Sequence, residues 1–346
     1  MIRSCSLAIL LMLVACASDT DVSSPPRPEA VRSDVIPASM EFGDWGPATP
    51  VTALNSAASD NTPALSSDGL SIYFGSLRTG GLGSFDLWVA HRTGVDAEWG
   101  TPENLGAVVN STAIEVGPYV SEDELFLFFS SSRPSSADEV GSCGSAGLPP
   151  CDNDLWVSMR DCNDASCPWG PPVNLGPAVN TALYEGGPTI WRSELYFNRG
   201  AAANPVPGAP DPGPPGDIYL SRIKPNKLAD GRIDLAIGDP EPVTVLNAAG
   251  VEQRPAVRSD GRELLFSSDR GGSPDVWVST RSGPGHPWRT PVNAGSGINT
   301  AASQELHPTL SADGTTVFFT SNRGGNADIY MARRSPLVGS SRLTVR

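Results

Sequence analysis

Glu305-Leu306-His307-Pro308-Thr309-Leu310 is followed by Asp313-Gly314, by Val317-Phe318-Phe319, by Ser321, Arg323 and Gly324-Gly325, and by Asp328-Ile329-Tyr330-Met331. The same frame, spanning residues 305–333 here, begins four more times, at Asp60, Glu115, Glu185 and Glu252. A unit that recurs at this length is one supersecondary element whose apolar face must be buried by the next copy. The repeat therefore decides the fold before any single residue is weighed.

Each copy reads as four short strands. The first, strand a, follows the proline: Ala64-Leu65, Tyr119-Val120, Thr189-Ile190, Ala256-Val257 and Thr309-Leu310. Asp68-Gly69, Asp260-Gly261 and Asp313-Gly314 supply the left-handed backbone of a tight hairpin, whereas Ser193-Glu194 stands at this place in the third copy. Strand b is aromatic and aliphatic: Ile72-Tyr73-Phe74, Leu127-Phe128-Phe129, Leu195-Tyr196-Phe197, Leu264-Leu265-Phe266 and Val317-Phe318-Phe319. Such runs suit strands packed on both faces. Strand c opens on Asp86, Asp154, Asp217, Asp275 or Asp328, and strand d runs from a Trp past a Pro, as in Trp99-Pro102, Trp169-Pro172 and Trp288-Pro291. Proline there fits an outer edge strand. Four antiparallel strands repeated five times give an all-β, five-bladed propeller over residues 41–346. The segment Trp45 to Asn55 reads as a lone strand d, and the last copy lacks one, so the N-terminal strand is expected to close the ring. The tail Arg342-Leu343-Thr344-Val345 competes for the same place.

This frame resembles the WD-like propeller repeat of TolB-type periplasmic proteins. It is most similar to the version fused to peptidoglycan-binding OmpA-type domains, where a run such as Trp169-Gly170-Pro171-Pro172-Val173-Asn174-Leu175-Gly176 precedes each acid. The resemblance covers residues 42–334 and implies the fold; the family is functionally diverse, so it implies no one activity.

Arg3, the apolar run Leu7 to Ala15 and Cys16 make up an expected export signal, too short to span a bilayer. Leu13-Val14-Ala15-Cys16 resembles a bacterial lipobox, which implies cleavage after residue 15, lipidation of Cys16 and sorting to the outer membrane. Residues 16–40, rich in Ser, Pro, Asp and Ala, read as a solvated tether. Four further cysteines, Cys143, Cys151, Cys162 and Cys167, lie in an exported chain and so point to disulfides rather than a metal. Three pairings are possible, and the local ones, 143 with 151 and 162 with 167, are expected. The formal charge of −14, with scattered Lys and Arg, argues against nucleic acid and for a cation, a basic protein or a neutral glycan.

Candidate site residues follow from the repeat. Asp60, Glu115, Glu185, Glu252 and Glu305 stand three residues before the proline, at the entrance of what a propeller makes its innermost strand. They are expected to ring one mouth of the channel, where calcium or another cation would offset their repulsion. An Asn precedes each acid (Asn55, Asn110, Asn180, Asn247, Asn299), so Asn and acid also suit a device that ties down the d-to-a turn. His307, beside Glu305, is the one histidine expected near the mouth. Arginine after strand b and aspartate opening strand c are expected to clamp one another: Arg78 with Asp86, Arg133 with Asp154, Arg270 with Asp275 and Arg323 with Asp328. Arg199 and Asp217 hold the corresponding places in the third copy. The long b-to-c connections 134–153 and 200–216 fall on the acid face, where binding loops belong.

These readings lead to a monomeric, lipid-anchored envelope propeller that binds an envelope protein or glycan and requires no cofactor. The alternative is a carbohydrate-active hydrolase. Resemblance to five-bladed arabinanase-type glycosidases implies Asp60, Glu115 and Glu185 as the analogous acids.

Overall fold

The computed structural model describes residues 41–134, 153–164, 167–181, 183–200, 216–227 and 233–337. The calls on the export signal, Cys16, the tether, Cys143, Cys151, both long connections beyond their first and last residues, and the tail 342–345 lie outside the described residues.

Two short strands, β1 (Glu41–Phe42) and β2 (Thr49–Pro50), precede the repeats. Blade one holds β3 (Asp60–Leu65), β4 (Ser71–Ser76), β5 (Asp86–His91) and β6 (Glu103–Asn104). Blade two holds β7 (Glu115–Val120), β8 (Phe126–Ser131), β9 (Asp154–Met159) and β10 (Val173–Asn174). In blade three β11 (Tyr184–Trp191), β12 (Glu194–Gly200), β13 (Asp217–Lys227) and β15 (Glu241–Pro242) form the sheet, while β14 (Ile233–Ile237) pairs with the overhanging end of β13. Blade four is β16 (Glu252–Val257), β17 (Glu263–Ser268), β18 (Asp275–Thr280) and β19 (Val292–Asn293). Blade five is β20 (Glu305–Leu310), β21 (Thr316–Ser321), β22 (Asp328–Arg333) and the N-terminal β2.

All blades are antiparallel, and the five innermost strands touch one another in the ring order β3, β7, β11, β16, β20. Closure follows the sequence expectation: Thr49 pairs with Met331 and Pro50 with Tyr330, so β2 is the outer strand of blade five. A second pair joins β1 to β23 (Pro336–Leu337).

The apolar b strands sit between neighbouring blades, and every residue of β4, β8 and β17 is buried. Each blade interface has its own core. Phe74, Trp99 and Phe318 pack between blades five and one, Tyr73 and Phe129 between one and two, and Phe128 and Phe197 between two and three. Tyr196 and Phe266 fill the next interface, and Leu265, Phe319 and Trp45 the last. Side chains that alternate across a propeller strand therefore face the two adjacent blades, not the axis.

Candidate functional site

Five copies of one latch hold the acids. In blade one Asp60 accepts hydrogen bonds from the Ser56 amide (2.5 Å), the Ser76 hydroxyl (2.5 Å) and Arg78 Nη2 (2.6 Å). Glu115 accepts from the Ser111 amide and hydroxyl, Ser131 Oγ and Arg133 Nη2, at 2.6–2.9 Å. Glu185 is bound by Thr181 and by Arg199 Nε (2.9 Å). Glu252 is bound by the Ala248 amide, Ser268 and Arg270, and Glu305 by Thr300, Ser321 and Arg323. All five carboxylates are fully buried. Burial raises the pKa of Glu185 and of Glu252 in spite of these donors.

The same arginines reach back to the preceding blade. Arg78, Arg133 and Arg199 donate to the carbonyls of Leu54, Val109 and Val179 at 2.5–2.6 Å, and Arg270 and Arg323 to those of Leu246 and Ile298. Each guanidinium also lies over the aromatic ring of strand b and, at the next strand, that of strand c, as Arg78 does over Phe74 (5.0 Å) and Trp88 (5.2 Å). The neighbouring Asn closes the turn: Asn110 accepts from the Leu87 amide and donates to the Leu87 carbonyl, and Asn55, Asn180, Asn247 and Asn299 do the same on Ile329, Leu155, Ile218 and Val276.

The expected Arg–Asp clamps are corrected by this geometry. Asp60, Ser76 and Asp86 lie in one row across three strands, so Arg78 has two carboxylates within reach. It takes Asp60, because Asp86 is already served by the amides of Leu82 and Gly83 and by Asn104 Nδ2. Arg133, Arg270 and Arg323 likewise pair with Glu115, Glu252 and Glu305. Asp154 and Asp275 accept instead from Asn174 and Asn293. In blades three and five Pro242 and Pro50 replace that Asn. Asp217 and Asp328 are left without it, burial raises both their pKa values, and Asp328 Oδ1 has no partner among the described residues.

The channel itself is lined from two residues further on. The ladder between strands a and b slips at the same place in every blade, at Thr62-Pro63, Gly117-Pro118, Gly187-Pro188, Arg254-Pro255 and His307-Pro308. The residue before the proline is left-handed each time, with φ of 53°, 62°, 58°, 56° and 57°. This bulge turns one residue per blade out of the interblade faces and toward the axis. Glycine takes the conformation freely; Thr62, Arg254 and His307 hold it at a cost of about 1–3 kcal/mol each.

Around a cavity of about 40 Å³ the five blades thus present Thr, Gly, Gly, Arg and His. A Cβ on Gly117 would stand 1.4 Å from Arg254 Nη1, and one on Gly187 would stand 2.6 Å from Arg254 Cδ. The Arg254 side chain runs from blade four past blade three to blade two across positions only glycine leaves open. It is 8 % exposed; Nη2 meets the Tyr184 hydroxyl at 3.4 Å, and Nε and Nη1 have no partner among the described residues. The His307 amide donates to Ser267 Oγ, and its ring Nδ1 lies 3.3 Å from Thr320 Oγ1. Burial, and secondly the nearby Arg254 charge, push the imidazole well below its ordinary range.

Among the described residues no carboxylate lines this cavity. Among the described residues no group of three or more His, Cys, Asp or Glu is placed to hold a metal. Sequence reading found His307 but missed Arg254, Tyr184 and the two glycines. The signal was the variable position directly before an otherwise constant proline. A larger cleft of about 320 Å³ lies on the opposite face between blades five and one, lined by Arg92, Arg333 and Arg334, by Asp68, Asp96 and Asp313, and by Phe318 and Met331. One expected disulfide is present, Cys162–Cys167, with Cα atoms 5.9 Å apart.

No protein-family model matches the chain, and no curated protein matches it. Solved structures do. TolB from Acinetobacter baumannii is 15 % identical over 73 % of this chain, with a TM-score of 0.39; the match spans only 47 % of that protein. The endo-arabinase from Bacteroides thetaiotaomicron is 14 % identical over 86 % of this chain and 98 % of its own, with a TM-score of 0.46. The GH43_1 enzyme from Xanthomonas citri complexed with xylotriose is 16 % identical over 85 % and 90 %, with a TM-score of 0.49. Likenesses this remote do not decide between binding and hydrolysis.

Proposed function

We propose that this protein is a binding module of the bacterial envelope, exported and held through Cys16, which recognises its ligand at the channel without turning it over. The observation that carries this reading is where the five-fold symmetry breaks. The acids are alike in all blades, each spent on an arginine latch. The axial positions differ, and two of them carry bulky polar groups in a left-handed backbone. Repetition marks architecture, whereas strain held at non-repeating, channel-facing residues marks recognition. Acid–base hydrolysis of a glycoside needs two carboxylates facing one cavity, and the latched acids face the blade interfaces instead. The lipobox resemblance and the −14 charge support an envelope setting and argue against nucleic acid.

The test compares binding with turnover on the full chain. Arabinan, xylan and acidic envelope glycans are supplied, unfolding midpoints are read for binding, and released reducing ends are read for hydrolysis. A midpoint shift with no release fits a binding module. Release that disappears in Glu115→Gln while the variant stays folded would make the chain a hydrolase.

A further inference from the structure

We propose that the central channel is a carboxylate-binding site, in which the guanidinium of Arg254, whose Nε and Nη1 have no partner among the described residues, receives the anion. This rests on the reading of the channel as the place of recognition.

Arg254 brings its guanidinium into the axis of the ring, yet among the described residues no acid lines the cavity around it. All other arginines of the inner repeat are answered: Arg78, Arg133, Arg199, Arg270 and Arg323 each meet a carboxylate at 2.6–3.0 Å. Among the described residues the Arg254 guanidinium makes one long hydrogen bond, donated to the Tyr184 hydroxyl. A guanidinium whose task was to plug the channel would have its donors satisfied within the fold, since buried polar groups are nearly always paired. Two of three nitrogens buried without a partner among the described residues, with a neutral imidazole alongside, make an arrangement that favours a bound anion.

The surroundings are shaped for this side chain. Gly117 and Gly187 leave the room that it occupies, and Gly186 leaves room for Tyr184, whose Cε1 would stand 2.4 Å from a Cβ there. Two of the five blades, the second and the third, have thus adapted to one residue of the fourth and its phenol partner. The backbone strain at Arg254 would be relieved by glycine, the residue that blades two and three already use at the equivalent place.

Size narrows the anion. The cavity is small, about 40 Å³, and a carboxylate is the smallest oxyanion head that a guanidinium binds. The carboxylate comes either from a small free acid or from the acidic end of a larger envelope ligand, such as a uronic acid residue.

Thermal unfolding of the full chain distinguishes these. Sodium acetate and sodium glucuronate are titrated against sodium chloride at equal ionic strength, with glucose as the uncharged counterpart of glucuronate. A saturable rise of a few degrees with acetate or glucuronate and none with chloride or glucose is expected. Acetate acting as well as glucuronate points to a free acid; glucuronate acting at much lower concentration points to a sugar-borne carboxylate. Arg254→Gly should fold and lose the effect. If it does not fold, Gly117→Ala, which drives a methyl group into Nη1, must lose it. Equal midpoints in acetate, glucuronate and chloride, or shifts that persist in these variants, would overturn the proposal. A response to glucose equal to that to glucuronate, lost in Arg254→Gly, would remove the carboxylate but leave the channel as the recognition site. Shifts that ignore both variants would remove the channel itself.

Discussion

Every latch sets a fully buried carboxylate against an arginine whose side chain is 14–20 % exposed, which makes the two partners unequal. Removing the negative charge strands a largely dry guanidinium, and breaking one side of such a pair costs about 3–5 kcal/mol. Glu115→Gln should therefore lower the urea-unfolding free energy by about that amount; a loss under about 1 kcal/mol would mean the latch is slack. The Asn ladder is the milder neutral case. Asn174 donates to Asp154, and its Oδ1 accepts from the Gly176 amide and from Asn180. Asn174→Ala leaves several groups unpaired and should cost about 1–3 kcal/mol. In blade five, Pro50 already stands where the other blades have that Asn. At this scale the sequence made the acids, the asparagines and the arginines legible, because each recurs at one spacing. It did not reveal which carboxylate the arginine takes. Asp60 and Asp86 flank Ser76 in the same row, and only the competing donors around Asp86 decide.

The bulge in strand a is the element on which the proposed recognition rests; its constant proline is visible in the sequence, its effect is not. A sequence shows x-Pro in a strand; it does not show that the ladder slips there and aims x at the axis. Blade three adds a second such case. Ile233-Asp234-Leu235-Ala236-Ile237 alternates as a strand should, but it lies outside the repeat frame, and only its pairing with 223–227 gives it a place in the fold. The bulge at His307 also predicts a pH dependence. Its imidazole is depressed well below 6.5 in the fold, so as pH falls below about 6.5 the unfolded chain takes up a proton that the native state refuses. Stability from this group is present above that pH and is lost on acidification. Glu185 and Glu252 act in the opposite sense. Their raised pKa values let the native state hold protons above 4.5, so stability rises as pH falls toward that value. His307→Asn isolates the histidine and keeps a residue tolerant of left-handed φ. The slope of the stability difference between parent and variant should approach about 1.4 kcal/mol per pH unit by about one unit below pH 6.5. A difference that stays flat from pH 8 to 5 would show the ring to be open to solvent.

At the scale of the whole molecule the ring has five interfaces and one seam. The seam is held by chain segments far apart in sequence: β2 against β22, Asn55 on the Ile329 backbone, and the Asp60 amide on the Ala327 carbonyl. The leading segment also contributes Val51 and Leu54 to the core between blades five and one, and Trp45 to the core between four and five. Deleting residues 41–55 thus removes three buried apolar side chains, at about 2–5 kcal/mol each, as well as an outer strand. Their sum rivals the whole stability of a typical domain, about 5–15 kcal/mol. A chain beginning at residue 56 should lose its single cooperative thermal transition, and both faces of the exposed seam would bind a hydrophobic dye. A cooperative transition within a few degrees of the parent would mean that some other segment closes the ring. Adding residues 41–55 as a separate peptide should restore the transition in proportion to peptide concentration, because a strand supplied from outside stabilises only through mass action. The same titration tests the proposed recognition in the intact ring, since Arg254 crosses an axis whose width depends on all five blades being drawn together: carboxylate response and cooperativity should return at the same peptide concentration.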